Sequence, residues 1–379
     1  MGILSAHPGL TYHGNPAHRR HTFRAVLLVL LALVLLISAS AGAYLDNLGR
    51  IFDSETTKIE NVFPAESTRP QPSVANGAAG TGGTGGTGGG VPGAGPAPAG
   101  GTPSDTGRPL NILVMGSDSR GATTEEATSG AGSNQRADTL MLVHIPADRS
   151  KIYSISLMRD LWVPIPARGH SKINAALAFG GVPLMVQTVE SLFGQRIDHV
   201  AMIDFEGFVG MTDALGGVEV NIPAPFVSYH DQIAFPAGPN TLDGEHALEF
   251  VRERYAFADG DYQRVRNQQA FVGALLAKNL SADTLLNPLK VHNVVSAIAP
   301  FISVDAGLDA GTLAGLAREL KDVRPNDMVM FTLPTRGTGT SADGQSIVLT
   351  DPAAIGAISA AMAGDTLGDY AAVNGLAGS

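Results

Sequence analysis

Two aspartates next to apolar segments lie where they could hold a cation together. Asp118 is in GSDSR, directly after the apolar segment NILVM, and Asp138 is in RADTLMLVHI, at the start of the next apolar segment. If these segments are neighbouring antiparallel strands, both aspartates come to the same edge of one sheet. Two carboxylates there suit Mg²⁺, which fills its other positions with water and phosphate. The alternative is that each aspartate is an ordinary turn residue.

Arginines accompany these aspartates, and arginine forks match phosphate oxygens. Arg120 follows Asp118, and Arg159 follows the apolar segment ISLM. Four more lie close together inside the segment LDGEHALEFVRERYAFADGDYQRVRNQQAF, in a stretch of about fifteen residues. They are Arg252, Arg254, Arg264 and Arg266. Facing a metal held by the aspartates, such arginines would clamp a pyrophosphate. The alternative is a solvated helix face with salt bridges to Glu249, Glu253 and Asp261.

The spacing of two of these arginines favours a site. Arg252 and Arg254 are two residues apart, and residues at that spacing do not share one face of a helix. At least one of them is therefore expected beyond a helix end.

Composition excludes several other kinds of chemistry. The 379 residues include no cysteine, which rules out disulfides, thiolate zinc sites and thiol catalysis. A formal net charge of -10 argues against nucleic-acid binding. The sequence also lacks the H-E-x-x-H, P-loop, G-x-S-x-G and S-x-x-K motifs, which removes the common routes to zinc proteases, P-loop ATPases and serine hydrolases.

The elements that must position these residues alternate between short apolar strands and amphipathic helices. Strands are predicted at Asn111–Met115, Thr139–Ile145, Lys151–Leu157, Gly217–Ile222 and Met328–Leu333. Helices are predicted at Pro183–Phe193, Phe205–Leu215, Gly244–Glu253, Arg264–Leu280, Leu289–Ile298, Ala310–Lys321 and Pro352–Met362. This interleaving predicts an α/β domain with a mainly parallel or mixed sheet covered on both faces.

The N-terminal part of the chain predicts membrane anchoring and export. Residues 25–44 form an uncharged apolar stretch long enough to span a bilayer. Basic residues precede this stretch, which places residues 1–24 in the cytoplasm and the rest of the chain outside. The alternative is a cleaved signal peptide, and it exports the same domain.

Composition also divides the exported part of the chain. Residues 45–63 are predicted as a juxtamembrane segment, and residues 64–109, rich in Gly and Pro, as a disordered tether. The catalytic domain is predicted at residues 110–370, followed by a tail at 371–379.

Seven motifs in sequence order resemble the LytR-CpsA-Psr family of cell-envelope polymer ligases. They are NILVMGSDSR, RADTLMLVHIP, ISLMRDLWVPIP, KINAALAFGG, IDFEGFVGMTDALGGVEVNIP, LDGEHALEFVRER and DYQRVRNQQ. The resemblance implies a three-layer α/β/α sandwich with a mixed central sheet, preceded by one transmembrane helix, and an apolar tunnel for a prenyl chain.

The resemblance also implies an activity at the cell membrane. A glycopolymer, such as arabinogalactan or a teichoic acid, would pass from a polyprenyl-pyrophosphate carrier to a peptidoglycan hydroxyl through a phosphodiester. Asp118 and Asp138 would hold Mg²⁺, or Mn²⁺, with Arg159 as a third catalytic residue. A pyrophosphatase and a non-enzymatic polymer-binding protein remain the alternatives, and the general base is left open.

The pyrophosphate-contacting arginines that the resemblance implies are Arg120, Arg159, Arg252, Arg254, Arg264 and Arg266. The assignment of Arg266 rests on a departure from the family pattern. Asn267 stands where a second arginine is common, and Arg266 is expected to supply that charge from one position earlier. The loop between Asp118 and Asp138 is also longer than in the shortest family members.

Overall fold

A computed structural model describes residues 46–71, 107–118, 136–279 and 287–376 of the chain. Its strands are, in chain order, β1 (Thr57–Ile59), β2 (Leu110–Asp118), β3 (Arg136–Ile145), β4 (Ile152–Leu157), β5 (Trp162–Ile165), β6 (Gly169–Lys172), β7 (His199–Asp204), β8 (Val218–Ile222), β9 (Phe226–Val227), β10 (Ala234–Phe235), β11 (Gly238–Leu242), β12 (Ser303–Asp305), β13 (Met328–Thr332), β14 (Thr335–Thr340) and β15 (Ser346–Thr350). The longer helices are α1 (Ala175–Phe193), α2 (Phe205–Ala214), α3 (Gly244–Arg252), α4 (Asp261–Asn279), α5 (Pro288–Ile298), α6 (Ala310–Glu319), α7 (Pro352–Ala363) and α8 (Leu367–Val373). The strands and helices that the sequence predicts within the described residues are all present.

A central sheet organises the domain. Within the described residues it has seven strands in the order β1-β12-β7-β2-β3-β4-β13. Three neighbouring pairs are parallel (β1 with β12, β7 with β2, β4 with β13) and the other three are antiparallel. The mixed sheet is therefore confirmed, as is the antiparallel pairing of β2 and β3 that brings Asp118 and Asp138 to one edge.

Helices cover both faces of this sheet. On one face α1 and α7 pack against apolar residues of β2, β3 and β4, such as Leu113, Leu142 and Ile155, which are fully buried. On the other face lie α2, α3 and α4, and α3 and α4 also pack on the two-stranded ribbon of β8 and β11. The three-layer α/β/α architecture follows because each sheet face buries its own set of alternating side chains.

Two elements differ in extent or position from the prediction. The strand at Val218–Ile222 pairs with β11 in the ribbon and does not join the central sheet. Helix α1 begins at Ala175, eight positions before the predicted start at Pro183, and contains a kink at Gly180 and Gly181. Gly181 has a φ of 64°, which glycine adopts without a Cβ clash and which lets the helix bend ahead of the proline.

The folded domain begins earlier than the predicted boundary at residue 110. Strand β1 pairs with β12 and extends the central sheet, so the predicted juxtamembrane segment at residues 45–63 contributes to the fold. Arg69 is buried beside Glu190, although it lies in the predicted tether at residues 64–109. The predicted C-terminal tail at residues 371–379 also begins inside the fold, because Ala371 is buried in α8. The rest of the predicted tether, residues 72–106, lies outside the described residues.

One helix of the described residues is long and apolar enough to cross a membrane, and it is α1. More than half of it is buried in the domain, where Val182, Val186 and Val189 pack in the core. It is therefore a core helix of this fold. The predicted membrane span at residues 25–44 lies outside the described residues and stays a prediction.

Candidate active site

A β-bulge brings both predicted carboxylates to one cavity. The register of β2 and β3 shifts between Gly116, which pairs with Thr139, and Ser117, which pairs with Ala137, so that Asp138 is the extra residue. Strict alternation would place Asp138 on the same face as Leu140 and in the apolar core. The bulge returns it to the opposite face, where Asp138 lines the cavity. Bulges commonly re-aim a side chain in this way beside active sites.

Asp118 reaches the same cavity by ordinary strand alternation. Leu113 and Met115 of β2 belong to the core on one face, whereas Val114, Gly116 and Asp118 lie on the other. Those three residues line the cavity. A carboxylate at the last position of β2 and one in the bulge of β3 therefore line the same cavity at the end of neighbouring strands.

Arg159 connects one of these carboxylates, Asp138, to a third acidic residue, Asp261. It follows β4, and its Nη1 donates to Asp138 Oδ1 at 2.7 Å. Its Nε lies 3.7 Å from Asp261 Oδ2, which is beyond hydrogen-bond distance. Arg159 is thus held between Asp138 on the sheet and Asp261 at the start of α4.

Asp261 is the centre of an arginine cluster formed by Arg159, Arg254 and Arg264. Its Oδ1 lies 3.2 Å from Arg254 Nη1 and 3.1 Å from Arg264 Nη1. The sequence had offered Asp261 only as an ordinary salt-bridge partner. Its position three residues before Arg264, one helical turn away, is the signal that could have assigned it to the site.

Charge crowding shifts the pKa values of this cluster. Burial raises the pKa of Asp261, but the charges of Arg264, Arg159 and Arg254 outweigh burial and lower it overall. Burial, together with the positive charge of Arg159, lowers the pKa of Arg264 to about 10. Burial also acts to lower the pKa of Arg159, yet Asp138 and Asp261 raise it overall. Asp261, Arg264 and Arg159 all remain ionised at neutral pH. The guanidinium groups around Asp261 therefore carry more positive charge than its one carboxylate neutralises.

Two donors of this cluster are left without a hydrogen-bond partner. Arg159 Nε and Arg264 Nε are both buried and donate to no acceptor among the described residues. Buried guanidinium donors without acceptors are costly. An anion in the cavity would supply the acceptors that the described residues do not.

The cavity itself has a volume of about 540 Å³ and is polar at one side and apolar at the other. The polar side contains the two strand-end aspartates and the arginine cluster. The apolar side lies between the sheet and helices α2, α3 and α4, and it is lined by residues such as Met141, Phe208, Met211, Leu248, Phe271 and Leu275. A ligand that fills it would combine an anionic group with a long apolar chain.

The remaining predicted arginines take different positions. Arg254 lies two residues beyond the end of α3 at Arg252, as its spacing predicted. Arg252 is exposed and lines the cavity, with its guanidinium 4.5 Å from the ring centre of Phe205. Arg120 lies outside the described residues, as does the loop between Asp118 and Asp138.

Arg266 is not among the described residues that line the cavity. Its side chain is 46% exposed and pairs with Asp259. Asn267 next to it is buried and donates to the carbonyl of Phe250 at 3.0 Å, which ties α4 to α3. The structure therefore brings Arg264 to the arginine cluster and leaves Arg266 outside it, and the binding role of Arg266 stays a prediction without a contact to support it.

The donor set fits a magnesium ion of the phosphate-binding kind. No group of three or more metal-ligating side chains occurs in the part of the chain that the structure describes. Two carboxylates, Asp118 and Asp138, lie together, and one oxygen of Asp138 is already bonded to Arg159. Mg²⁺ commonly takes only one or two carboxylates and completes its octahedron with water and substrate phosphate.

The fold and site define an α/β protein with a cavity lined by aspartates, arginines and apolar side chains, and comparison with known proteins gives its family. The sequence model of the LytR_cpsA_psr family matches residues 98–363, most of the chain. The chain therefore belongs to the LytR-CpsA-Psr family.

Named relatives share part of the sequence. The probable cell wall biosynthesis protein LcpB of Corynebacterium glutamicum is 38% identical over 216 residues, 56% of this chain and 52% of that protein. A polyisoprenyl-teichoic acid–peptidoglycan teichoic acid transferase, TagU of Oceanobacillus iheyensis, is 32% identical over 241 residues, 62% of this chain and 69% of that protein. The chain spans about half the length of the two Corynebacterium glutamicum relatives, LcpB and LcpA.

Solved structures share the fold. B. subtilis TagV superposes with a TM-score of 0.58 at 23% identity, covering 69% of this chain and 98% of TagV. A LytR-Csp2A-Psr enzyme from Actinomyces oris has a TM-score of 0.51 at 24% identity and covers 71% of this chain and 90% of that protein. At these identities the likeness concerns the architecture.

Proposed function

We propose that this chain transfers a glycopolymer from a polyprenyl-pyrophosphate carrier to a sugar hydroxyl of peptidoglycan and so forms a phosphodiester. The observation that carries the proposal is the arginine cluster with two unbonded buried donors at the mouth of an apolar cavity. A pyrophosphate attached to a prenyl chain has both parts of the matching ligand. Family membership and relatives named for cell wall biosynthesis and teichoic acid transfer support the same proposal.

In this proposal each side chain has a defined task. Arg159, Arg254 and Arg264 bind the pyrophosphate oxygens, and Asp261 holds the three guanidinium groups together before the ligand arrives. The apolar side of the cavity takes the prenyl chain and excludes water around it. Because these charges are fixed in a partly buried site, they stabilise the transition state without a large reorganisation.

The reaction exchanges one phosphorus–oxygen bond for another. The acceptor hydroxyl oxygen forms a bond to the phosphorus nearest the polymer, and its proton passes to solvent water. The bond from that phosphorus to the bridging oxygen breaks, and prenyl monophosphate leaves with the electron pair. Arg159 and Arg264 neutralise the charge that builds on the leaving group.

Asp118 and Asp138 would hold Mg²⁺, or Mn²⁺, which when bound polarises phosphoryl oxygens and offsets their negative charge. In this arrangement Asp138 has two tasks, because its Oδ1 also orients Arg159. We further propose that the domain acts outside the cytoplasmic membrane, anchored by the apolar stretch at residues 25–44.

The test uses the full chain in detergent micelles with a synthetic polyprenyl-pyrophosphate-linked oligosaccharide, Mg²⁺ and nascent peptidoglycan glycan strands. The variants are Asp138→Asn and Arg159→Gln, and Arg318→Gln on the exposed face of α6 is the matched arginine control. We expect transfer to the strands in the parent chain and the control. A loss of about 100-fold or more is expected in both site variants, as for removal of one transition-state donor.

Three results would contradict the proposal. Phosphate release without transfer to any strand would make the chain a pyrophosphatase. Binding of the carrier without turnover in all four proteins would make it a polymer-binding protein. Full transfer in Asp138→Asn and Arg159→Gln would remove the site that we assign.

A further inference from the structure

Three aromatic residues form an exposed patch beside the arginine cluster. Tyr229 and Tyr255 are 61% and 53% exposed, and His230 between them is exposed as well. The ring centres are 5.1 Å apart for Tyr229 and Tyr255, 5.3 Å for Tyr229 and His230, and 5.5 Å for His230 and Tyr255. We call these three residues the aromatic rim.

The aromatic rim is held in place by a buried carboxylate. Glu253 is only 2% exposed, and its oxygens accept from the backbone N–H groups of Tyr229, Arg254, Tyr255 and Ala256. Those bonds join the hairpin loop that carries Tyr229 to the loop that carries Tyr255. Burial acts to raise the pKa of Glu253, but the four N–H donors outweigh burial and lower it. The rim is therefore preorganised although its rings face solvent.

The rim is also connected to the cavity. His230 and Tyr255 line the cavity mouth, whereas Tyr229 does not line it. Arg254 donates to the Tyr255 hydroxyl and lies 4.5 Å from its ring centre, while its Nη1 lies 3.2 Å from Asp261. The rim thus continues outward from the arginine cluster through a single shared residue.

We infer that the aromatic rim binds a sugar ring of the acceptor glycan strand. The inference rests on the proposed function, in which three groups meet at the transferred phosphorus. The apolar side of the cavity suits the prenyl chain, and the arginine cluster suits the pyrophosphate. The carrier is fixed by both of these contacts, but a neutral acceptor sugar can use neither. It needs a surface of its own next to the phosphorus.

The chemistry of the rim matches that need. A pyranose ring presents a face of C–H groups to an aromatic ring and leaves its hydroxyls at the edges for solvent and reaction. Tyrosine and histidine offer such a face together with a polar edge, and a fixed exposed aromatic patch typically marks a binding surface. The rim carries little charge, which suits a neutral sugar better than a second anion.

The test separates acceptor binding from carrier binding. Tyr229→Ala removes the ring that lies outside the cavity, and Tyr229→Phe keeps a ring at the same position. Phe179→Ala is the matched control, because Phe179 is also a partly exposed aromatic residue (38%) and is not among the cavity-lining described residues. Each full-length variant is assayed in micelles for transfer to glycan strands and for hydrolysis of the carrier without strands.

We expect the KM for glycan strands to rise roughly five- to tenfold in Tyr229→Ala, the size of a lost aromatic contact. Tyr229→Phe and Phe179→Ala should keep the parent value within about twofold. The KM for the carrier and the hydrolysis rate without strands should not change in any variant. An unchanged KM for strands, or a parallel loss of carrier hydrolysis, would overturn the inference.

A direct binding measurement tests the aromatic rim independently of the proposed transfer activity. Saturation-transfer NMR with soluble glycan strands should detect binding to the parent chain and to Phe179→Ala, and much weaker binding to Tyr229→Ala. Strand binding without any transfer would refute the proposed function and leave the rim as a saccharide site. Absence of strand binding to the parent chain would refute the rim whatever the transfer assay shows.

Discussion

Arg264 and Arg266 lie two residues apart on α4 and have opposite surroundings. Arg264 is buried, contacts Asp261 and carries one of the two unbonded donors in the cavity. Arg266 is nearly half exposed and pairs with Asp259. A helix turns by about 200° over two residues, so only one of them can point toward the cavity.

This contrast gives a paired prediction. Arg264→Gln should lower kcat/KM for transfer by about 100-fold, because the pyrophosphate loses a charged donor in a partly buried site. Arg266→Gln should lower it by less than about threefold. Steady-state kinetics with the synthetic carrier and glycan strands measures both values, and thermal unfolding checks that both variants are folded. Equal losses would show that the family-based role of Arg266 is right and that our placement of the site is wrong.

The sequence contains enough to find the aspartates but not to rank the arginines. Asp118 ends one apolar strand and Asp138 lies at the start of the next, and strands that are consecutive in sequence are usually neighbours in a sheet. The direction in which each arginine side chain points depends on the rotation of α4 about its axis and on the residue at which α3 ends. Both are set by packing. The sequence presents Asp261 only as a salt-bridge partner, since an acidic residue among arginines on a helix is most often part of a surface ion pair.

At the scale of elements, the bulge of β3 decides whether Asp138 faces the cavity or the core. The close approach of β2 and β3 here depends on Gly116, since a Cβ at this position would lie 3.0 Å from Thr139 Cβ. Thr139 is the neighbour of the bulged residue. Sequence patterns assigned the strand correctly, but they cannot show a bulge, because the extra residue changes only the face on which Asp138 lies.

We expect Gly116→Ala to impair catalysis more than stability. The added methyl group displaces Thr139 and moves Asp138, so kcat should fall by about tenfold or more, since small displacements of catalytic groups have large effects on rate. The control is Gly356→Ala in α7, where a Cβ meets no atom within 4 Å. That change should leave kcat unaltered and stabilise the helix slightly. Unchanged kcat in Gly116→Ala would show that the bulge tolerates the shift.

A second element-level feature is the attachment of the short strand β12 to β7. Asp305 is buried and accepts from the backbone N–H of Val200 at 2.9 Å and of Gly307 at 2.9 Å, and it pairs with His199. Burial acts to raise the pKa of Asp305, but these bonds outweigh burial and lower it. The carboxylate therefore stabilises the pairing of β12 with β7 more in its charged form than in its protonated form.

Asp305→Asn should lower the free energy of unfolding at pH 7 by about 1–3 kcal/mol, because an amide NH2 group replaces one of the two oxygens that accept from buried donors. The stabilisation is complete above the unfolded-state pKa of about 3.9 and is lost as the pH falls through the lower pKa of the folded state. Urea titrations of the parent and variant at constant ionic strength should thus show a difference that shrinks below about pH 4. A difference independent of pH would indicate a purely steric effect.

For the whole molecule, the extent of the folded domain is the property that composition predicted least well. Composition assigns residues 45–63 to a juxtamembrane segment outside the domain, because they lack long apolar runs and precede a stretch rich in glycine and proline. In the structure they supply an edge strand and several buried side chains, including Phe52 and Ile59. A three-residue strand such as β1 has no periodic signal of its own, and its position depends on β12, which lies more than two hundred residues away in sequence.

An ion pair holds the end of this N-terminal segment to the domain. Arg69 Nη2 donates to Glu190 Oε1 at 2.7 Å, and the two side chains are only 5% and 1% exposed. Glu190 Oε1 also accepts from the N–H of Ile197 at 3.0 Å, and the Arg69 guanidinium lies 4.4 Å from the ring centre of Phe63. The pair is thus part of the core, although one partner lies in a stretch that composition assigns to a tether.

Removing one partner of this pair should destabilise the domain more than removing both. Arg69→Met leaves the Glu190 carboxylate buried without its counter-charge, and Glu190→Gln does the same to Arg69, so each should cost about 3–5 kcal/mol in the free energy of unfolding. The double variant Arg69→Met with Glu190→Gln removes both charges and should cost less than either single change. Urea unfolding of the full chain measures all four proteins. Two results would contradict this prediction: additive losses of unfolding free energy, or single losses below about 1 kcal/mol as for exposed pairs. Either result would show that residues 64–71 are only loosely attached and that composition had identified a true linker.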